Sequence, residues 1–296
     1  MTPPLSLAAI TDEFSPTDLD RALGAMAELG MTGAELRVIW GRNVIDLSDD
    51  EVDRVRAAVE ACGMRVLSIA SPVLKCVLPG APDVHPRIQQ DTFAAAHTFG
   101  DQPALARRAF EIAERAGARI IRVFSYWRTV DPAACLDRVA EALAGLAAEA
   151  AARGLVIGIE NEHACNVATG EETARLLDLV AHPALQVIWD PANALVAGET
   201  AFPDGYRAVP VSRIVHVHAK DCDVANHQPT WGEFGTMSID WPGQLKALVD
   251  DGYRGAVSLE THWPGPGGDK FEGSRICGGR LREMLGAIAD GRRANL

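Results

Sequence analysis

Short apolar runs that stop abruptly at an acid or an imidazole recur along the second half of the chain. Residues 155–159 end in Glu160, with Asn161, Glu162 and His163 directly after it. Residues 185–189 end in Asp190, 213–217 in His218 and 255–259 in Glu260. An apolar run of this length reads as a buried strand, and its polar end as the point where that strand meets a pocket. The gaps of 30, 28 and 42 residues each hold one strand, one loop and one helix. Four successive units thus place one metal-type side chain at the same relative position.

The first half has the same grammar with fewer polar ends. Strands are expected at 5–10, 33–38, 64–70 and 119–124. The first helix is expected to start at Ser15-Pro16, a cap residue followed by proline, with Leu19, Leu23, Met26 and Leu29 as its stripe and Gly30 as its stop. Capping boxes at Ser48–Glu51 and Thr169–Glu172 open two more. Further helices are read at 107–116, after Asp131-Pro132 up to Gly154, at 239–249 and at 273–288. Eight strand-then-helix units, with weaker helices after strands six and seven, predict a parallel sheet closed into a (β/α)8 TIM barrel. With no linker to split it, the chain is read as one domain, 1–296. An open doubly wound sheet is the runner-up, but the first strand leads into Ile10-Thr11-Asp12-Glu13-Phe14 and carries no glycine-rich fingerprint. Residues 71–100 break the rhythm with prolines at 72, 79, 82 and 86. A loop this long inside a compact domain reads as an active-site lid, here one that brings Lys75 toward the substrate.

Composition narrows the function classes. With 28 basic and 40 acidic residues the formal charge is −12, which argues against a nucleic-acid partner. Six cysteines without a Cys-x-x-Cys pair suit a reducing compartment. The N-terminus has no basic segment ahead of its apolar one, and no stretch approaches a membrane span. A cytoplasmic protein with no membrane partner is expected.

In a barrel of this kind the site lies at the C-terminal ends of the strands, where Glu160, Asp190, His218 and Glu260 all fall. A single acid at a strand end is often only a salt-bridge partner. Three carboxylates converging on one mouth repel each other unless a cation neutralises them. The oxygen-rich set predicts one divalent metal, Mn²⁺ by preference, with Mg²⁺, Co²⁺ or Zn²⁺ as alternatives.

The segments 158–161, 187–190, 215–221 and 258–260 resemble the xylose-isomerase-like TIM barrel proteins of the sugar phosphate isomerase/epimerase family, over nearly the whole chain. The resemblance implies that Glu160, Asp190, His218 and Glu260 bind one divalent metal and that Glu160 and Glu260 also move protons. Asn193 stands where the epimerases of that group commonly carry histidine, and an amide can orient a hydroxyl but cannot titrate.

Other candidates come with plainer readings. Lys75, His163, Asn193, Lys220 and His262 are read as substrate-binding. Lys220 would otherwise form a rim salt bridge to Asp221 or Glu162, and the two histidines would be ordinary loop residues. His216, one pleat below His218, reads as a buried core histidine, and Glu35 and Arg37 as a pair across strand two. Trp40, Trp127, Trp231 and Trp263 fall just beyond strands two, four, seven and eight, so one or two are expected to stack on a sugar. The leading expectation is a metal-dependent sugar isomerase or epimerase acting on a small sugar or keto-sugar, with a homo-oligomer allowed. A keto-sugar or keto-inositol dehydratase using the same site is the alternative. An endonuclease-like phosphodiesterase is disfavoured by Asn193 and the negative charge, and a non-catalytic sugar-binding barrel by the intact ligand set. A phosphate site in Gly265–Lys270 is a further, thinner expectation, with a plain loop the better reading.

Overall fold

Eight short parallel strands close on themselves in chain order: β1 (Ser6–Ile10), β2 (Gly33–Leu36), β3 (Arg65–Ile69), β4 (Ile120–Val123), β5 (Val156–Glu160), β6 (Leu185–Trp189), β7 (Ile214–Ala219) and β8 (Ala256–Leu259), with β8 pairing back onto β1. The structure is a computed structural model and describes residues 5–91, 96–289 and 291. One main helix follows each strand: α1 (Leu19–Glu28), α2 (Asp49–Ala61), α3 (Gln102–Ala116), α4 (Leu136–Ala152), α5 (Gly170–Leu179), α6 (Pro191–Val196), α7 (Trp241–Asp250) and α8 (Lys270–Ala289). This is the (β/α)8 barrel that the alternation predicts. The strands are apolar because helices cover one face and barrel filling covers the other. None of the described helices is long and apolar enough to cross a membrane.

Several boundaries differ from the sequence expectation, each for a local reason. The first helix starts at Leu19, because Asp18 rather than Ser15 caps it by accepting from the Arg21 N–H, while Ser15 Oγ accepts from Asp18 N. Thr11–Phe14 forms a separate helical turn that points Asp12 and Glu13 inward, both buried. Strand two stops at Leu36, and Val38–Ile39 instead pairs with Arg42–Asn43 in a small antiparallel ribbon. α3 begins at Gln102, with Pro103 in its first turn behind a capping box of Thr98 and Asp101. After β7 the chain makes a hairpin, Cys222–Ala225 against Gln228–Trp231, before reaching α7. Both capping boxes read from sequence, at Ser48 and Thr169, are formed.

The interior is unusually polar for a barrel core. Glu35, Ser68, Arg122, His216 and Ser258 are all at most 1% exposed. Room inside is tight. A Cβ on Gly158, one pleat below Glu160, would come within 2.8 Å of Ile188 Cγ1 and 3.1 Å of Ile120 Cγ2. Gly158 therefore lets β5 sit close to its neighbours. Gly158→Ala is expected to overpack the barrel and cost about 1–3 kcal/mol, read as a lowered urea midpoint; an unchanged midpoint would contradict this packing.

Candidate functional site

Glu160, Asp190, His218 and Glu260 come together from β5, β6, β7 and β8, with one ligand-type atom from each lying within 4.8 Å of all the others. The strand register explains the meeting, since Ile188 pairs with both Glu160 and His216, and Ser258 pairs with His218. Corresponding strand ends thus rise to the same height. The Asp190 carboxylate also caps α6 by accepting from the Asn193 N–H, and Asn161 bonds the Asp190 backbone from both its amide atoms. Glu260 N donates to the Ala219 carbonyl. All four side chains are at most 2% exposed.

Charges crowd this point. His218 Nδ1 is 3.2 Å from Glu160 Oε1, 3.3 Å from Glu260 Oε2 and 3.9 Å from Asp190 Oδ2. Lys220 Nζ lies 2.7 Å from Asp190 Oδ2 and 2.8 Å from Glu260 Oε2. Two buried arginines press in, one from β4 and one from just past β2. Arg122 Nη1 is 3.2 Å from Glu160 Oε2, and Arg37 Nη1 is 2.6 Å from Glu260 Oε1. Burial alone would raise the Glu160 and Glu260 carboxyls. Nearby cations reverse that, chiefly His218 and Arg122 for Glu160, and Lys220 and His218 for Glu260, which lies well below the usual range. Burial does prevail at Asp190, which rises to about 6 despite Lys220. His218 and Lys220 are held well above their ordinary values by the surrounding carboxylates, although burial opposes the charge.

The donor set fits a divalent cation. Glu160 Oε2 and Asp190 Oδ2 are fully buried and accept no hydrogen bond, even though cations stand at ion-pair distance off the hydrogen-bond direction. Buried oxygens in that state suit a metal ligand.

Above this point opens a cavity of about 600 Å³, whose wall includes Lys75, His163, Asn193, Lys220, Trp231 and His262. All five side chains read as substrate-binding thus face one space. Asn193 Nδ2 donates to Glu160 Oε1 at 3.3 Å, and its Oδ1 lies 2.8 Å from His163 Nδ1. Glu162 Oε1 is 3.0 Å from the same nitrogen and Glu162 Oε2 is 3.7 Å from Lys75 Nζ. Lys75 also lies 4.4 Å over the Phe124 ring. Residues 71–91 are fastened to the loop after β4, with His85 N donating to Arg128 O and Val130 N to Asp83 O, and His85 and Ile88 reach the cavity. The middle of the expected lid, residues 92–95, lies outside the described residues.

Other expectations move. Lys220 pairs with Asp190 and Glu260, while Asp221 accepts from the backbone N–H groups of Cys222, Gly235, Met237 and Ile239. Glu35 and Arg37 do not pair with each other: alternation breaks where β2 ends, so Glu35 turns to His216 and His218, and Arg37 to Asp12, Glu13 and Glu260. His216 is a buried, hydrogen-bonded histidine, as its position implied. Of the four rim tryptophans only Trp231 lines the cavity; Trp127 packs with Phe124 and Cys165, Trp40 lies under Arg54, and Trp263 sits against Gly273. Lys270 is drawn to Glu13 at 3.2 Å, and no residue of Gly265–Lys270 lines the cavity. With Arg37 also against it, Glu13 is held down to about 2 despite burial. Sequence reasoning missed Asp12, Glu13 and Arg122. A charge within the apolar run Ile120-Ile121-Arg122-Val123 was the available signal.

Several solved structures share this fold along almost their full length. A xylose isomerase domain protein from Alicyclobacillus acidocaldarius is 19% identical with a TM-score of 0.68, covering 97% of this chain and 100% of its own. The IOLI protein with a bound zinc atom is 13% identical with a TM-score of 0.70, covering 99% and 100%. D-psicose 3-epimerase from Clostridium cellulolyticum H10, solved with D-tagatose, is 17% identical with a TM-score of 0.66, covering 97% and 96%. At such identities the likeness speaks for the fold alone. No curated protein sequence matches the chain significantly. The sequence profile of one family matches residues 23–276, and on that match the chain belongs to the xylose isomerase-like TIM barrel family.

Proposed function

We propose that this protein is a divalent-metal-dependent sugar isomerase or epimerase that moves a proton on the carbon beside a carbonyl. The observation that carries the reading is the convergence of Glu160, Asp190, His218 and Glu260 beneath a cavity of sugar-accommodating size. Those four residues would hold the ion, with manganese the first choice for three carboxylates and one imidazole. When bound, the metal acts as a Lewis acid that stabilises negative charge on the substrate's carbonyl oxygen.

The chain's own groups supply the rest. Glu160 and Glu260 are held ionised and come from β5 and β8, which β6 and β7 separate. From those two walls one carboxylate takes the proton and the other returns it. Return to the opposite face of the same carbon inverts it; return to a neighbouring carbon interconverts aldose and ketose. Lys220 and Arg37 hold Glu260 in place, and Arg122 and Asn193 hold Glu160. Lys75, His163 and His262 face the substrate's hydroxyls from the cavity wall. Trp231, tilted against the His262 ring at 5.0 Å between centroids, offers an apolar face to a sugar's C–H bonds. The sugar-processing neighbour solved with D-tagatose supports a small keto-sugar as the substrate class.

Elemental analysis of metal-loaded protein is expected to find one divalent ion per chain, lost in His218→Ala; equal content in parent and variant would refute the ligand set. Metal uptake should also weaken as pH falls below about 6, where Asp190 takes up a proton and ceases to be a ligand. A titration at pH 5 and pH 7 checks this, and equal affinity at both would count against Asp190. Turnover of a keto-sugar in D₂O should place deuterium on the reacting carbon, and Glu260→Gln should lower kcat by about 10²-fold or more. Full turnover in that variant would end the two-glutamate mechanism.

A further inference from the structure

Glu35 is a carboxylate at 0% exposure inside the barrel. Its strand, β2, is not adjacent to β7, so its contacts to β7 cross the barrel interior. Glu35 Oε1 lies 2.8 Å from His216 Nε2 and 3.3 Å from His218 Nε2, while Oε2 lies 3.5 Å from His218 Nε2. The two imidazoles stand edge to face, 5.7 Å between centroids at 88°. One carboxylate therefore receives two ring nitrogens from alternate residues of one strand.

Donor and acceptor capacities then fix the tautomers. An ionised carboxylate can only accept. Even a protonated carboxyl has a single O–H and could serve only one of the two ring nitrogens, whereas a carboxylate accepts from both. Both Nε2 atoms must then carry hydrogen. With Nε2–H of His218 directed at Glu35, the hydrogen that a bound cation would displace is the one on Nδ1, which faces Glu160, Asp190 and Glu260. The hydroxyls of Ser68 and Ser258, which the strand register sets beside Glu35 and His218, make no hydrogen bond. Among the described residues Glu35 is the acceptor that Nε2 of His218 has.

We propose that Glu35 is a positioning residue that fixes His218 in its Nε2–H tautomer and so aims the Nδ1 lone pair at a divalent ion shared with Glu160, Asp190 and Glu260. The proposal rests on the metal-centre reading above. A metal-bound imidazole commonly donates its other N–H to a carboxylate, which orients the ring and raises its basicity. Here that carboxylate comes from the far side of the barrel, and His216 occupies its second acceptor position and keeps it in place. A glutamine at 35 would preserve volume but present one acceptor and one NH₂ donor to two N–H groups. One imidazole would then have to change tautomer or lose its partner.

The test uses the zinc-loaded full chain labelled with ¹⁵N-histidine. Two-bond ¹H–¹⁵N correlations are expected to show His218 protonated on Nε2 and metal-bound through Nδ1. Competition with a chelator should show zinc affinity falling about 10–100-fold in Glu35→Gln, with the Nε2–H signal of His218 displaced. Glu35→Asp, which keeps an acceptor of the same charge, should fall between the two. Unfolding of the metal-free proteins separates this loss from a general loss of stability, because the tautomer signal is read on folded protein. A wild-type spectrum with the hydrogen on Nδ1 of His218 would overturn the inference without any variant. So would unchanged affinity and tautomer in Glu35→Gln. Two zinc ions per wild-type chain, falling to one in Glu35→Gln, would make Glu35 a ligand and overturn it as well. A wild-type chain that binds no zinc or manganese would instead end the metal-centre reading itself.

Discussion

Three buried carboxylates held within a few ångströms of one another are the constraint on which the rest of this barrel depends. Removing even one such charge from water costs on the order of several kcal/mol unless partners compensate. Glu160, Asp190 and Glu260 are all at most 2% exposed, so the surrounding chain is arranged to balance them. Arg37, Arg122, Lys220 and His218 supply positive charge at hydrogen-bond or ion-pair distance. The balance is uneven. Glu160 and Glu260 are held ionised while Asp190 rises to about 6, so burial is offset least at Asp190.

The barrel makes this crowding achievable. Parallel strands in register bring successive C-terminal ends to one height, so four side chains far apart in sequence meet without any loop having to close precisely around them. The polar interior beneath extends the support. Glu35 spans from β2 to two histidines of β7, and Arg37 ties the turn after β1 to Glu260. The Glu35 link joins strands that are not neighbours, so the centre is braced across the barrel as well as around it.

Above the centre the wall is built from loops fastened to one another. The segment after β3 pairs with the loop after β4, and the hairpin after β7 brings Trp231 over the cavity. A ring of carboxylates thus lies below a loop-built wall, at the strand ends and loops where barrels of this fold commonly place chemistry and selectivity. Asn193 connects the two levels through Glu160 and His163.

The chain by itself determined the (β/α)8 architecture and the position of the centre. Alternation of apolar runs with helical stripes is a local signal, and a polar residue that ends an apolar run marks a strand's end wherever the strand goes. Glu160, Asp190, His218 and Glu260 were legible for that reason. The partners of those groups were decided only by tertiary structure. Arg37 lies two residues beyond Glu35, yet strand pairing ends between them at Leu36. The two side chains therefore part, one into the barrel and one to the acids after β1. Asp12 and Glu13 read as the polar end of a strand, and an extra helical turn folds them inward. Nothing in the run containing Arg122 says which carboxylate it will meet, because that partner lies 38 residues away on the next strand. Strand identity and register follow from spacing along one chain. The choice of partner follows from which strands close the barrel, and that is a property of the whole sheet.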